Sequence, residues 1–267
     1  MKTYHVSAFR MYRSFFSMHL RTAMEYKSSF LMTIFGMTLT SFASFLAIWI
    51  LFDRFHTVDG YTLSEVLLCH STIMIGFSIS EILLRGFDVF SSQVQSGSFD
   101  RLLLRPRTLF LSVLVSRMEF ARVGRLVQSI VILIYAVWKT NLTFTAAHTA
   151  AFVLMILGSA VFFSALMILG AGVCFFTIEG IEVMNIFTHG GKELGSYPLD
   201  IYNSRALILF FTFFVPLSCA QYYPFLYLTG RESSFFYALT PCYTIVFFLF
   251  SLIFFYFGVR HYQSTGS

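Results

Sequence analysis

Six apolar stretches divide this chain, and between the second and third lies a polar passage. The stretches fall near residues 29–52, 63–84, 120–138, 148–176, 206–219 and 240–259. A helical membrane span takes about 20 apolar residues, so the pattern predicts six spans with short connections and an all-α fold. The polar passage, residues 85–107, reads RGFDVFSSQVQSGSFDRLLLRPR. Phe87, Phe90 and Val94 recur at i, i+3 and i+7, which places them on one face of a short helix, while Ser91, Ser92, Gln93 and Gln95 fall largely elsewhere. Ser96-Gly97-Ser98 breaks that helix, residues 100–104 form a second turn, and Pro106 stops it because it lacks an N–H and has a fixed φ. An amphipathic element here either rests in the headgroups or presents a patch to a soluble partner.

Ahead of the first span, Arg10, Ser14, Ser17 and Arg21 form one polar stripe, and Phe9, Tyr12, Phe16 and Leu20 a neighbouring apolar one. That is the pattern of a helix lying in the interface plane, and it assigns residues 1–28 to such an element. A targeting leader is the alternative, but a mitochondrial leader lacks so immediate a membrane span behind it. No cleavable signal peptide is expected, since the first long apolar run begins near Ser29 and serves as its own insertion signal. The fifth span is unusual. Pro216 lies inside it, Pro224 follows, and the next apolar piece, PFLYLTG, is too short to cross alone. Backbone broken at membrane depth needs shielding by protein or water. A re-entrant or interfacial hairpin on the outer side, reaching to Pro241, is therefore expected; a simple kinked helix is the alternative.

Composition turns the pattern into a class. The chain of 267 residues is 57% hydrophobic and 12% charged, with a mean hydropathy of +0.74. Soluble domains carry about a quarter charged residues, so this is a polytopic membrane protein. It forms one membrane domain over 1–267, with no internal repeat or linker. The pI of 9.1 does not point to nucleic acid, because the basic residues sort by membrane side. With the N-terminus inside, Lys2, Arg10, Arg13, Arg21 and Lys27 fall inside, as do Arg85, Arg101, Arg105, Arg107, Arg117, Arg122 and Arg125. Lys192, Arg205 and Arg260 join them, leaving only Arg54, Lys139 and Arg231 outside. The expected topology is N-in and C-in.

Little in the sequence carries chemistry. Cys69, Cys174, Cys219 and Cys242 stand alone without metal or disulfide spacing. Gly191-Lys192 lacks the first glycine of a phosphate loop, where Ile186 stands, and Glu193 follows the lysine, so no nucleotide or metal site is expected. Ionisable residues within spans are functional candidates. Glu81 and Arg85 form an i, i+4 pair at the inner end of the second span, Glu119 and Arg122 pair at the start of the third, and Glu179 and Glu182 cap the fourth. These read as structural ion pairs, with a proton relay as the alternative. Arg125 and His70 lie deep enough to line a substrate path, with Glu65 near His70 at the outer end.

Three stretches together resemble the type-2 permeases of ATP-binding-cassette (ABC) transporters, in the branch of small six-span subunits. They are GSFDRLLLRP (97–106), FFTIEGIEVMNIFTHGGKELGSYPLDIY (175–202) and FFVPLSCAQYYPFLYLTG (213–230). Cys219-Ala220-Gln221 departs from the more apolar sequence expected before the Tyr-Tyr-Pro. The resemblance implies a permease half that pairs with a second permease, identical or homologous, and with two cytosolic ATPase subunits. ATP and Mg would sit on those subunits, and this chain would bind no cofactor and have no catalytic residue. It also implies a coupling helix within 85–104 received by the ATPase. Phe87, Phe90 and Val94 would be its anchors, and Asp100 and Arg101 its rim charges. The implied task is export of small amphipathic, drug-like or peptide-like compounds across a bacterial-type plasma (inner) membrane. The rival readings are a self-contained membrane enzyme using His70 and Glu65, which has only that one sparse pair, and an ion-driven carrier, for which the spans lack deep acids.

Overall fold

The computed structural model describes residues 8–104, 108–140, 142, 145–177 and 180–262. Arg105, Pro106, Arg107 and Glu179 lie outside them. The protein is an all-α polytopic membrane protein built from five long apolar helices and one bent pair. Helix α1 (Ala8–Glu25) leads through Tyr26 into α2 (Lys27–Phe55). A two-residue hairpin, β1 (Thr57–Val58) with β2 (Tyr61–Thr62), then turns the chain into α3 (Leu63–Asp88). The start of α3 is fixed by a reciprocal capping box: the Thr62 hydroxyl accepts from the Glu65 amide, and Glu65 Oε2 accepts from the Thr62 amide at 2.8 Å.

Short helices α4 (Phe90–Gln95), α5 (Ser98–Leu103) and α6 (Leu109–Leu114) follow at the far end of α3. A 3₁₀ turn, Phe120–Arg122, opens α7 (Val123–Thr140), and α8 (Ala146–Val173) comes next. The remainder is segmented. It comprises α9 (Gly180–Asn185), a π turn (Ile186–Gly190), α10 (Gly191–Leu194), a 3₁₀ turn (Leu199–Tyr202) and α11 (Arg205–Phe213). A second π turn (Ser218–Tyr222) and α12 (Tyr223–Leu228) precede α13 (Phe235–Leu239) and α14 (Tyr243–Arg260).

α3 is the centre of the bundle. Its span is 83% enclosed by the rest of the chain, against 11% for α2. α3 and α8 run parallel and very close. A Cβ at Gly76 would meet Ser159 Cβ at 2.5 Å and the Ala160 amide at 2.9 Å, so only glycine permits this approach. The Ser80 hydroxyl, next along the seam, donates to the Ala160 carbonyl at 2.7 Å, and Ser164 meets Ser80 at 3.2 Å. α14 runs beside α8 in the same direction, with Pro241 against Gly158 and Phe255 against Gly172. α7 is antiparallel to α3, so Glu119, Arg122 and Arg125 meet Arg85, Glu81 and Ser78 in turn.

The stretch between α8 and α11 is more than a short connection. It was read as a connection, yet it runs the length of α3 in the opposite direction. Asn185 and Thr188 share a small cavity with Phe87, His189 rests edge-on against Phe77, and Gly195 sits beside Ile73. Ser196 meets His70, and Asp200 reaches Tyr61 in the hairpin. The expected fifth span, 206–219, is not one helix. α11 has nine residues, about 14 Å of helix, and the segment Ser218–Leu228 is bent 95° from it. Pro216 lies in that bend and Pro224 in the first turn of α12. α12 climbs back to the hairpin, where Phe225 touches Tyr61 and Arg231 donates to the Gly60 carbonyl at 2.7 Å.

Candidate functional site

The polar passage between α3 and α7 has its apolar face turned inward. Phe87 and Phe90 are fully buried and Val94 nearly so, within the chain's own core. Phe90 packs edge-on against Phe99, Phe175 and Phe255, and Phe87 packs edge-on against Phe255 and at a tilt against Phe110. These residues are therefore not available as anchors for another protein; they fasten the element to α8 and α14. Gly97, at φ 64°, turns α4 into α5 in the left-handed region that glycine adopts without strain. The outward side carries Ser92, Gln95, Arg101, Leu103 and Leu104, the last 85% exposed. Beside it Ser92, Gln93, Ser98, Arg101, Ser116 and Arg117 line a groove of about 380 Å³. Arg101 is thus on the exposed side and Asp100 is half-buried.

A ladder of eight charges starts immediately behind this element. Asp88 pairs with Arg85, and Arg85 Nε reaches Glu119 Oε2 at 2.8 Å. Glu119 meets Arg122 at 3.4 Å, Arg122 meets Glu81 Oε1 at 2.7 Å, and Glu81 also pairs with Arg125. Arg125 and Lys192 each lie over the Phe77 ring, at 4.9 and 5.7 Å, and Lys192 Nζ holds Glu193 Oε1 at 2.7 Å. Four acids and four bases balance. Glu81 is 1% exposed, so its charge is sustained by the two arginines. The sequence reading paired Glu81 with Arg85; the structure pairs Glu81 across to α7 and gives Arg85 to Asp88 and Glu119. The signal was present. The order of signs at 81, 85 and 88 faces that at 119, 122 and 125 once the two helices are antiparallel.

Arg125 and His70 do not line an opening. The Arg125 side chain is 11% exposed and its Nε donates to Ser78 Oγ at 3.1 Å. His70 is 1% exposed, with Nδ1 against Ser196 Oγ at 3.2 Å. Glu65 caps α3 and meets Arg231 at 3.3 Å, so no contact joins it to His70. A second buried knot sits at similar depth, where the Gln221 amide donates to the Cys69 carbonyl and to Thr72 Oγ1, both at 2.8 Å, and accepts from Ser159. The hairpin end is clasped by Tyr61, whose hydroxyl donates to Asp200 Oδ2 at 2.5 Å under the Arg231 guanidinium. Burial, with Asp200 beside it, pushes that phenol well above its ordinary range, so it stays a donor.

The polar face that does open outward went unread in the sequence. Asn185, His189 and Glu193, spaced by four, are all exposed on one side of the α9–α10 rod. A π turn, Ile186–Gly190, lies within this rod, a type of irregularity frequent at functional sites. Among the described residues no group of His, Cys, Asp or Glu could hold a metal, and the four cysteines are free. A family model described as ABC-2 family transporter protein matches residues 38–266. No curated protein and no solved structure matches the chain.

Proposed function

The chain belongs to the ABC-2 family of transporter proteins, and from that premise we propose that it is the membrane-spanning subunit of an ATP-driven exporter. It works with cytosolic ATP-binding-cassette subunits, which hold ATP and Mg, and with a second permease. The observation that carries the reading is the continuity from the exposed side of α4–α5, through the charge ladder, to Lys192 and Glu193 at mid-bundle. A push on α4–α5 by an ATPase moves the end of α3. The ladder and the aromatic lock behind it transmit that displacement to α7 and to the α9–α10 rod as a rigid-body shift. This chain itself performs no chemistry; small amphipathic compounds pass between two permease halves.

The hairpin end faces outward and α4–α5 faces the cytoplasm. The fifth of six crossings is the rod from Gly180 to the 3₁₀ turn at Leu199–Tyr202, and residues 205–228 form a re-entrant hairpin from the outer side. Both of its ends lie level with the β1–β2 hairpin, which supports an even return through the same face. Arg205 then moves outside and Lys192 to mid-depth, and the basic residues still favour the inner side by a wide margin.

The function is tested by purifying the tagged chain from its native membrane in mild detergent. An ATP-binding-cassette ATPase is expected to travel with it, and ATP hydrolysis by the complex to be lost when that subunit's catalytic site is disabled. A monodisperse chain that never carries an ATPase sinks the proposal. Topology is a separate prediction. In a Cys242→Ser background, Asn203→Cys and Asp59→Cys are expected to react with an impermeant maleimide on intact cells, and Ser98→Cys only after permeabilisation. Labelling of Asn203→Cys with the Ser98 set would put the fifth crossing back at 206–228.

A further inference from the structure

The open polar face ends on one charge at mid-depth. His189 and Lys192 meet Phe77 and Gly195 meets Ile73, so Glu193 lies level with the middle of α3. Its side chain is 55% exposed. A carboxylate turned to lipid at that depth costs about 3 kcal/mol or more, so this face borders a water- or ligand-filled space. The space has a direction. Toward the α4–α5 end, His189, Asn185 and Glu182 are exposed in succession; toward the hairpin, Tyr197 and Ile201, the next positions at this spacing, are only half-buried. The face thus forms a vestibule that opens toward the α4–α5 end and narrows beyond Glu193.

The charges there are unequal in access. Arg85, Arg122, Arg125 and Lys192 are each between 11% and 18% exposed and each touches a carboxylate. An incoming molecule therefore meets the carboxylate of Glu193 and not a cation. Lys192 engages Oε1, and a carboxylate has a second oxygen to offer. Beside the rod stands an aromatic wall: Phe187 stacks on Phe210, and Phe210 on Phe214 at 5.7 Å between ring centroids, with Phe214 74% exposed. Rings attract both apolar bodies and cationic heads. We infer that this vestibule is a binding site for amphiphiles bearing an amine or quaternary ammonium, with Glu193 taking the cationic head and Phe210 and Phe214 the apolar body.

The inference rests on the permease reading, and the two can fail separately. The test is binding to the purified complex in nanodiscs of zwitterionic lipid, corrected for partition into empty discs. The probes are a dansyl-decyl-trimethylammonium, its neutral tert-butyl isostere and the matching decyl sulfonate. The unaltered protein is expected to bind the ammonium at least tenfold tighter than the isostere and the sulfonate weakest. Glu193→Gln is expected to erase the preference without weakening the neutral probe, and Glu193→Asp to keep it. Equal affinities, a preference for the sulfonate, or a preference that survives Glu193→Gln overturns the inference. The comparison among probes needs no variant, so it stands even if a substitution misfolds. Absence of an ATPase from the preparation counts against the permease reading alone, because the charge preference is read on this chain.

Discussion

Replacing Glu81 with alanine is expected to destabilise the bundle by about 3–5 kcal/mol, the usual cost of removing one partner from a buried ion pair. Glu81 is 1% exposed and is the acid shared by Arg122 and Arg125, which are themselves 14% and 11% exposed. Its loss leaves two guanidiniums facing one another with only Glu119 and Ser78 to satisfy them. The measurement is thermal unfolding of the detergent-purified chain, with aggregation monitored. A second variant separates stability from transmission. Changing Glu81, Arg122 and Arg125 together to leucine or methionine removes the desolvation cost along with the pairing, so much of the stability is expected to return. Transport coupling should remain lost, because the connection between α3 and α7 is then a slippery apolar contact. An unchanged melting temperature in the alanine variant would mean that solvent already reaches this cluster.

The sequence made the class of the protein legible, and much of its helix plan, because long apolar runs have few alternatives. It said less about the fifth span, expected at 206–219, where the structure has a nine-residue helix and then a 95° bend. Hydropathy detects helices that face lipid, and the α9–α10 rod does so poorly. One side packs on α3 and α8, and the other carries Asn185, His189 and Glu193. Those polar residues interrupt the apolar run that hydropathy needs, although Val183 and Ile186 on the same rod are exposed as well. The more apolar residues of α11 read as a span, and the helix stops after nine residues at the bend that contains Pro216. The pairing of Glu81 was obscured differently. An i, i+4 partner is visible in one helix, whereas a partner on the next helix requires knowing their relative direction.

Periodicity in 85–104 identified a real face and assigned it the wrong neighbour. Phe87, Phe90 and Val94 do share a side, but spacing cannot say whether a partner or the chain itself covers it; here Phe99, Phe175 and Phe255 do. Phe90→Ala is therefore expected to cost about 3–5 kcal/mol of folding stability, as large-to-small changes of buried aromatics do. Loss of the ATPase would follow only as a consequence of that loosening. The outward side should behave in the opposite way. Leu104 is 85% exposed and Arg101 is on the same open side, so Arg101→Glu with Leu104→Asp leaves no cavity and buries no charge. That double variant is expected to melt as the unaltered chain does, while its ATPase association weakens by at least tenfold, since removing one well-placed anchor costs roughly 2 kcal/mol. Melting curves and pull-downs at two salt concentrations, run on both variants, decide the matter. If Phe90→Ala melts normally and releases the ATPase, the aromatic face does reach the partner. If the outward variant retains full association and transport, α4–α5 is not where force enters the bundle.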